Sequence, residues 1–301
     1  MSRGIWNDRF LYLFVVPGVI WFLVFCYQPM YGLLIAFKDY DIVKGVFHSE
    51  WVGLKYFTDF FYDYNFNSIM INTIAISLLK LIIGFPAPII LALMLNELRS
   101  RTFKRMSQTI FYLPFFVSWV VVSGIWYELL TFDEGGIVNT FLMNVGLIGE
   151  PILWFGKPEY FWGLVVASDI WKGIGWGSII YLAALSGVDS ELYEASVMDG
   201  ANRWRQTWHI TLPGIRSAIL ILFILSVGSI LNAGFDQIYV MQNPAVMERA
   251  QIIDTYVMTT GIFKANYSIA TAVGLFKSVV GLIMLLLVNW VVKLLGEEGV
   301  V

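Results

Sequence analysis

Six stretches of this chain are each long and apolar enough to cross a lipid bilayer. A spanning helix needs about 20 mostly apolar residues, because each residue adds about 1.5 Å across a hydrocarbon core about 30 Å thick. Backbone groups in lipid must be hydrogen-bonded within their own segment, so these runs predict helices. The predicted spans are Leu11–Phe37, Ser68–Leu95, Thr109–Thr131, Tyr160–Leu185, Gly214–Phe235 and Thr271–Val292. We therefore predict an all-α membrane protein with six transmembrane helices.

The composition supports this class and excludes others. Hydrophobic residues make up 58% of the chain and charged residues 14%, and the mean hydropathy is +0.72. Soluble domains carry about 25% charged residues, because their surface must be solvated. The net charge of −3 is too small to indicate a nucleic-acid partner. Cys26 is the one cysteine and the two histidines, His48 and His209, lie far apart, so we expect neither a disulfide nor a metal site.

The basic residues predict which way the chain is oriented. The densest basic cluster, Arg99 to Arg105, lies in a short loop after the second span, and Arg3 and Arg9 precede the first span. Because Lys and Arg concentrate in cytoplasmic loops, both termini are predicted to be cytoplasmic. Residues 27–31 offer no A-x-A-like cleavage site, so we expect the first helix to be retained rather than removed as a signal peptide.

Charged residues within the predicted spans would be costly facing lipid, by about 2.5–3.5 kcal/mol each at mid-membrane. Apart from Arg216, which lies at the cytoplasmic start of the fifth span, these residues are Lys80, Glu128, Asp169, Lys172 and Lys277. We expect them to face protein or a wet cavity. For Glu128 and Lys277, which lie near span ends, an alternative is that the side chain extends to the interface.

Prolines and glycines in the spans predict local packing. Prolines that break the helical hydrogen-bond ladder, and so predict kinks, occur in the first three spans at Pro17, Pro86, Pro88 and Pro114. Gly173 and Gly177 are four residues apart on the fourth span, which permits close contact between helices.

A polar segment, Ser186 to Pro213, separates the fourth and fifth spans. Asp189 or Ser190 can cap a helix whose first turn contains two glutamates, which the helix dipole favours. Apolar residues recur near helical spacing in this segment, at Tyr193, Val197, Ala201, Trp204 and Trp208. Gly200 interrupts this stripe, at a point where a bend or a helix end costs little. The stripe must be buried, and the residues alone leave open whether it lies on lipid headgroups or against a partner protein.

The same segment resembles the EAA motif of ABC importer permeases. Glu194-Ala195-Ser196 is followed by three residues, Gly200, nine residues and Ile210-Thr211-Leu212-Pro213, which is the spacing of that motif without gaps. Asp199-Gly200-Ala201 resembles its usual local variant, whereas Ser196 departs from the usual Ala. The chain is thus similar to permeases of the ABC type I importer fold. The core permease domain would be residues 68–295, after an N-terminal segment 1–67 and before a cytoplasmic tail 296–301.

The resemblance implies a mechanism and a set of partners. Segment 186–213 would carry a coupling helix that docks in a groove of a separate ATPase subunit. The coupling residues it implies are Glu194, Ala195, Ser196, Asp199, Gly200, Ala201, Ile210, Leu212 and Pro213. Two ATPase subunits would bind ATP and Mg²⁺, and a different second permease and an extracytoplasmic solute-binding protein would complete the importer in the bacterial inner membrane. Because Gly274–Ser278 lacks the second glycine of a phosphate loop, we expect no cofactor in this chain and no enzymatic activity.

Two further segments are similar to permeases for complex oligosaccharides, including those for alginate and pectin fragments. They are Pro29-Met30-Tyr31-Gly32 through Ala36-Phe37-Lys38-Asp39-Tyr40, and Ala265-Asn266-Tyr267-Ser268 followed by Thr271 to Ser278. In similar sugar permeases the helices on either side of the EAA loop contact substrate. The polar and aromatic candidates on these helices are Asp169, Lys172, Gly173, Trp176, Ser226, Ser229 and Asn232. The first four fall at i, i+3, i+4 and i+7, hence on one helix face.

The sequence leaves alternatives open. Asp169 and Lys172 could simply pair with each other, while the serines and the asparagine join helices. The predicted spans contain three lysines and two acids, which favours an acidic, uronic-acid-containing oligosaccharide over a neutral one. A permease for another solute class, an intramembrane enzyme and a scaffold are rival readings. An intramembrane enzyme would need paired aspartates or a similar constellation in the spans, and only Asp169 is an aspartate there.

Overall fold

Helices make up most of the computed structural model, which describes residues 9–133, 136–294 and 296. Residues 1–8 and 297–301, which hold most of the predicted N-terminal cytoplasmic segment and tail, lie outside the described residues. The elements before residue 100 are α1 (Arg9–Phe22), a π-helical turn (Leu23–Tyr27), a 3-10 helix (Gln28–Phe37), β1 (Lys38–Asp39), α2 (Gly45–His48), β2 (Glu50–Trp51), α3 (Lys55–Phe61), α4 (Phe66–Leu79), a π-helical turn (Lys80–Gly84) and α5 (Pro86–Asn96).

The remaining elements follow in chain order. They are α6 (Arg101–Tyr112), a 3-10 helix (Leu113–Phe116), α7 (Trp119–Leu129), α8 (Ile137–Asn144), α9 (Pro158–Leu185), α10 (Ser190–Met198), α11 (Arg203–Gln206), a π-helical turn (Thr207–Thr211), α12 (Leu212–Gly214), α13 (Arg216–Gly228), α14 (Phe235–Met241), α15 (Met247–Ala250), α16 (Ile253–Val257), a π-helical turn (Met258–Phe263) and α17 (Tyr267–Leu294). They form two compact units, Met1–Phe66 with Tyr256–Phe276, and Asn67–Thr255 with Lys277–Val301.

Among the described residues, three helices are long and apolar enough to cross a membrane without a break: Tyr12–Phe37, Phe66–Asn96 and Tyr267–Leu294. Two bent pairs also qualify, Arg101–Phe116 with Trp119–Leu129 at 105° and Arg203–Gly214 with Arg216–Gly228 at 63°. With 28 residues, α9 is also long enough, although its Asp, Lys and aromatic residues make it less apolar.

The predicted third and fifth spans are wrong in one respect, because neither is a single straight helix. The third bends sharply at Val117 and Ser118, where Ser118 caps α7 by accepting a hydrogen bond from the Val121 N–H at 3.4 Å. The fifth ends at Gly228 instead of Phe235, and the chain resumes as α14 after a non-helical segment. Gly234, at φ +101°, permits the turn into α14.

The second span keeps one direction despite its prolines. The Phe85 N–H donates to the Lys80 carbonyl oxygen at 2.9 Å, which closes a π-helical turn immediately before Pro86. Since proline has no N–H to donate, a local change in the hydrogen-bond ladder lets the helix pass it. The expected kink is therefore replaced by a π-helical turn, and this turn begins at Lys80.

The first unit joins the two sequence segments that resemble oligosaccharide permeases. The Ser268 hydroxyl donates to the Lys38 carbonyl oxygen at 2.7 Å and accepts from the Tyr40 N–H at 3.0 Å. Nearby, the Tyr56 hydroxyl donates to Asp39 at 2.6 Å. Burial, together with this hydrogen bond, raises the pKa of Tyr56 to about 12. Residues 228 and 230 apart in sequence are thus hydrogen-bonded to each other in this unit.

Close approach between α9 and its neighbours depends on a glycine that the sequence did not single out. A Cβ atom on Gly175 would lie 2.0 Å from the Phe111 carbonyl oxygen on α6, and one on Gly177 would lie 2.9 Å from the Pro88 ring on α5. Gly173 has no atom within 4 Å of its Cβ position. The predicted packing role therefore holds for Gly177 but is wrong for Gly173.

Candidate functional site

A cavity of about 580 Å³ in the second unit lies where the two interrupted spans meet α9. One wall is the break between the 3-10 helix Leu113–Phe116 and α7, another is α14, and the third is α9. Its polar and aromatic lining residues are Phe115, Ser118, Trp119, Asp169, Lys172, Asp236 and Tyr239. Non-helical backbone within a membrane is tolerated where it is buried in protein or lines a water-filled cavity, and Val117 and Ser118 of the first break line this cavity.

Lys172 lies at the first break and stabilises it. Its Nζ donates to the carbonyl oxygens of Phe115 at 2.5 Å and Pro114 at 3.4 Å. The same ammonium lies 5.1 Å from the ring centroid of Phe115 and 5.5 Å from that of Trp119. Carbonyls at the end of a helix have no partner in a next turn, and a cation there is favoured by the helix dipole. This explains a lysine that is only 9% exposed.

Asp169 is paired with a lysine from another helix. Its Oδ1 lies 3.0 Å from Nζ of Lys80, which also donates to Oε1 of Gln237 at 2.7 Å. The Gln237 amide donates in turn to the Val165 carbonyl oxygen at 2.6 Å and the Ser168 hydroxyl at 2.8 Å. The alternative in which Asp169 pairs with Lys172 is therefore wrong: the acid is held by the π-helical turn of the second span.

Trp176 contacts the wall of this cavity from the next turn of α9. Its ring stacks on Phe115 with centroids 4.4 Å apart and planes 3° from parallel, and it meets the edge of Phe116 at 5.9 Å. Gly173 lines the cavity itself. All four residues predicted on α9 thus lie at or against one cavity wall, as their helical spacing requires.

The structure separates the candidates on the fifth span from this cavity. The Ser226 hydroxyl donates to the Leu222 carbonyl oxygen of its own helix at 2.8 Å. Ser229 and Asn232 line a different cavity, of about 170 Å³, together with Lys277. Lys277 forms an ion pair with Asp254. These three candidates therefore do not belong to the same site as Asp169 and Lys172.

Several residues that line the cavity or lie behind its lining were not among the predicted site residues. Lys80 was predicted only to be a charged residue within a span, and no role was predicted for Gln237, Trp119 or Tyr239. The sequence contains weak signals for them. Ser118 is a helix-capping residue inside an apolar run, and Gly234 is a glycine close to polar residues. Neither signal identifies which other helix supplies the partner.

The segment between the fourth and fifth spans forms a hairpin of α10 and α11, here called the coupling hairpin (186–213). Asp189, one of the two predicted caps, accepts a hydrogen bond from the Glu191 N–H at 2.9 Å. Gly200 ends α10 at φ +75°, where the Gly200 N–H donates to Val197 at 3.0 Å and the Ala201 N–H donates to Ser196 at 2.9 Å. This is a left-handed helix end that favours glycine.

Side-chain hydrogen bonds hold the two arms of the coupling hairpin together. The Gln206 amide donates to the Ser196 hydroxyl at 3.0 Å, and the Tyr193 hydroxyl lies 3.0 Å from Oγ1 of Thr211. Arg203 forms an ion pair with Glu97 at the end of the second span.

The predicted motif residues lie on both arms of this hairpin. Glu194, Ala195, Asp199, Gly200 and Pro213 are exposed, whereas Ser196, Ala201, Ile210 and Leu212 are half-buried. Of the predicted apolar stripe, Val197, Trp204 and Trp208 are exposed, and Gly200 divides them between the arms.

Replacing Tyr193 with Phe should loosen the coupling hairpin without unfolding the chain. The change removes the hydrogen bond to Thr211, a buried residue, and such a bond contributes about 1 kcal/mol. Hydrogen exchange of backbone amides between residues 203 and 211 is then expected to accelerate about fivefold, since 1 kcal/mol corresponds to that factor at 25 °C. Tyr62→Phe, at a tyrosine that is 89% exposed, serves as the control. Equal exchange rates in the Tyr193 variant and the wild type would contradict the role of this bond.

The chain belongs to the family of binding-protein-dependent transport system inner membrane components, whose family model matches residues 84–297. It is 49% identical over 293 residues to protein LplB of Bacillus subtilis (strain 168), across 97% of this chain and 91% of the relative. It is 47% identical over 294 residues to the polygalacturonan/rhamnogalacturonan transport system permease protein YteP of the same organism, across 98% of this chain and 91% of the relative.

A solved structure extends this similarity to the fold. It is the bacterial alginate ABC transporter in complex with an alginate pentasaccharide-bound periplasmic protein, and one of its chains matches with a TM-score of 0.90. The sequence identity is 38%, and the match covers 100% of this chain and 99% of that chain. The predicted ABC type I importer permease fold and the assignment to a transporter family instead of an enzyme family are confirmed.

Proposed function

We propose that this permease forms the membrane pathway of a binding-protein-dependent importer for oligosaccharides, with acidic, uronic-acid-containing chains as the preferred substrates. The observation that carries the proposal is the 580 Å³ cavity between two interrupted spans. In membrane transporters, discontinuous helices provide backbone groups for substrates near the midplane. This cavity joins the break in the third span to the charged face of α9 and to α14, the helix that follows the break in the fifth span.

The lining of this cavity suits sugar rings. Phe115, Trp119 and Tyr239 supply aromatic faces, on which the C–H faces of sugars pack, and Ser118 and Asp236 supply hydrogen-bonding groups. Binding sites for small molecules generally combine such apolar surface with a few polar groups that fix orientation. The N-terminus of α7 also opens at this break, and its dipole favours a negative group.

The charge distribution favours an acidic substrate. The Asp169 carboxylate is compensated by Lys80, whereas no carboxylate lies within salt-bridge distance of Lys172 in the part of the chain that the structure describes. Asp236 lines the cavity but is exposed, where water and salt screen its charge. YteP is a polygalacturonan/rhamnogalacturonan transport system permease protein, and the matching crystal structure is an alginate transporter. Galacturonan and alginate are both polymers of uronic acids.

Energy for transport would come from partner subunits. The coupling hairpin is the proposed contact with one of two ATPase subunits that hold ATP and Mg²⁺, with Glu194 exposed for that contact and Gly200 at its turn. A second, different permease and an extracytoplasmic solute-binding protein complete the importer in the inner membrane, with both termini of this chain in the cytoplasm. Closure of the ATPases would move the hairpin, and the spans would alternate between outward-facing and inward-facing states around the cavity.

Uptake of an acidic oligosaccharide by Lys172 variants tests the substrate class. The complete importer is reconstituted in vesicles with ATP inside, and uptake of an oligogalacturonide and of its methyl ester is expressed relative to wild type for each substrate. Lys172→Met is expected to lower uptake of the acidic form about tenfold more than that of the ester, because it removes a buried cation. Lys172→Arg keeps the charge and should retain most of the preference.

A control separates this effect from a general loss of stability. Lys264→Met removes a lysine in a predicted outer loop, and uptake of both substrates should stay at the wild-type level. If Lys172→Met lowers uptake of both substrates equally, the lysine only stabilises the break in the third span, and the preference for acidic substrates is wrong.

A further inference from the structure

Lys80 lies behind Asp169 as seen from the cavity. The side chain of Lys80 is 16% exposed and that of Asp169 is 36% exposed, and only Asp169 lines the cavity. The lysine therefore acts on the cavity through the carboxylate with which it forms the 3.0 Å ion pair. It follows that the charge presented to a ligand near Asp169 depends on a residue that the ligand does not touch.

Contacts from α9 and from the segment around α14 fix the position of Lys80. Its Nζ contacts Asp169 and Gln237, and Gln237 is 1% exposed with both amide atoms hydrogen-bonded. A Cβ atom on Gly234 would lie 2.8 Å from Nζ of Lys80, so the glycine makes room for the ammonium. A buried cation is costly unless it is hydrogen-bonded, and here Asp169 and Gln237 each accept a hydrogen bond from Lys80.

From this geometry we infer that Lys80 is a specificity-determining residue: by neutralising Asp169 it keeps the cavity open to anionic oligosaccharides. This inference rests on the proposed function, because it concerns the selectivity of the same cavity. Without Lys80, the Asp169 carboxylate would repel a uronate on the substrate and would offset the attraction of Lys172, three residues away on the same helix. Lys80 is thus a positioning residue: it sets the charge of the cavity through Asp169 and makes no contact with the sugar.

Removing the lysine and then its partner distinguishes an effect of charge on selectivity from a loss of folded structure. Lys80→Met, Asp169→Asn and the double variant are compared in the reconstituted importer at about pH 8, where carboxylates are ionised. The measured quantity is the uptake of the oligogalacturonide divided by that of its methyl ester. Lys80→Met should lower this ratio at least tenfold, because two like charges a few ångströms apart repel strongly in a partly dry site. The double variant should return to within about threefold of wild type, since it removes both charges.

Asp169→Asn keeps the test decisive if Lys80→Met does not accumulate in the membrane. With its acid removed, the lysine adds positive charge, so the ratio should equal or exceed that of wild type. A ratio that falls in Asp169→Asn, or a Lys80→Met ratio that stays unchanged, would overturn the inference. The same holds if the double variant is no better than Lys80→Met, because the ion pair would then be needed only for folding.

The wild-type importer separates this inference from the proposed function. If wild type takes up the oligogalacturonide and the Lys80 variants have an unaltered ratio, only the inference fails. If wild type takes up neither sugar, or prefers the ester, the proposed substrate class fails and the inference is overturned with it.

Discussion

A chain with Gly175→Ala is expected not to accumulate as a folded protein in the membrane. The added Cβ would lie 2.0 Å from the Phe111 carbonyl oxygen and 2.9 Å from the Tyr112 backbone nitrogen, where real Cβ atoms are not found. These are backbone atoms of α6, so no side-chain rotation can relieve the clash and the two helices must separate. Inserting one methyl group into a well-packed contact typically costs about 1–3 kcal/mol, and a clash with backbone lies at or beyond the upper end.

The matched control for this variant is Gly173→Ala, two residues earlier on the same helix. Nothing lies within 4 Å of the Cβ position of Gly173, so the alanine should be accommodated. We would compare the amount of each variant in the membrane fraction and the temperature at which each aggregates in mild detergent. Gly175→Ala should be reduced at least tenfold in amount, while Gly173→Ala should match wild type. Equal amounts of the two variants would contradict the close contact between α9 and α6.

The Gly175 contact also matters for the cavity. It holds α9 against the end of α6, and the chain enters the break at Phe115 and Ser118 a few residues later. Lys172 reaches the carbonyl oxygens of this break from one turn earlier on α9. Small residues at helix contacts let backbones approach in lipid, where no hydrophobic force drives helices together. The packing glycine and the capping lysine therefore stabilise the same interruption of the third span.

Hydropathy predicted where apolar helices lie along the chain, but not the breaks within them. At the third span, the residues of the break include Phe115, Phe116 and Val117, which are as apolar as the helix around them. Hydropathy reports how apolar a segment is and contains no information on where the helix axis bends. Only Pro114 and Ser118 indicate an irregularity there, and the same residues occur in straight helices. The second span illustrates this, since its two prolines are absorbed by a π-helical turn.

The site was predictable along one helix and unpredictable between helices. Asp169, Lys172 and Gly173 were found together because the helical period places them on one face. Their partners, Lys80 and Gln237, are 89 and 68 residues from Asp169 in sequence, and only the tertiary structure brings them close. Gly175 was missed for the same reason, because the close approach depends on where α6 crosses α9. The residues of the coupling hairpin, by contrast, were found through the spacing of a motif.

Replacing Gly200 with Val should abolish ATP-driven uptake while the chain still accumulates in the membrane. Gly200 adopts φ +75°, and a residue with a side chain costs about 1–2 kcal/mol there, more when it is β-branched. The end of α10 would have to adopt another conformation. This change would displace Glu194 and the rest of the coupling hairpin from the ATPase groove proposed for them. Pull-down of the tagged chain is expected to recover at least tenfold less ATPase subunit than wild type, with no detectable uptake.

Gly146→Val provides the matched control for this prediction. Gly146 ends α8 at φ +73° in a predicted outer loop, and the helix ends there in the same way: the Gly146 N–H donates to Met143 at 3.0 Å and the Leu147 N–H donates to Leu142 at 3.0 Å. The two variants therefore carry the same backbone strain on opposite predicted sides of the membrane. Gly146→Val should recover the ATPase subunit as wild type does. If both variants lose it equally, the loss reflects general instability, and if neither does, the hairpin is not the element that couples ATP to transport.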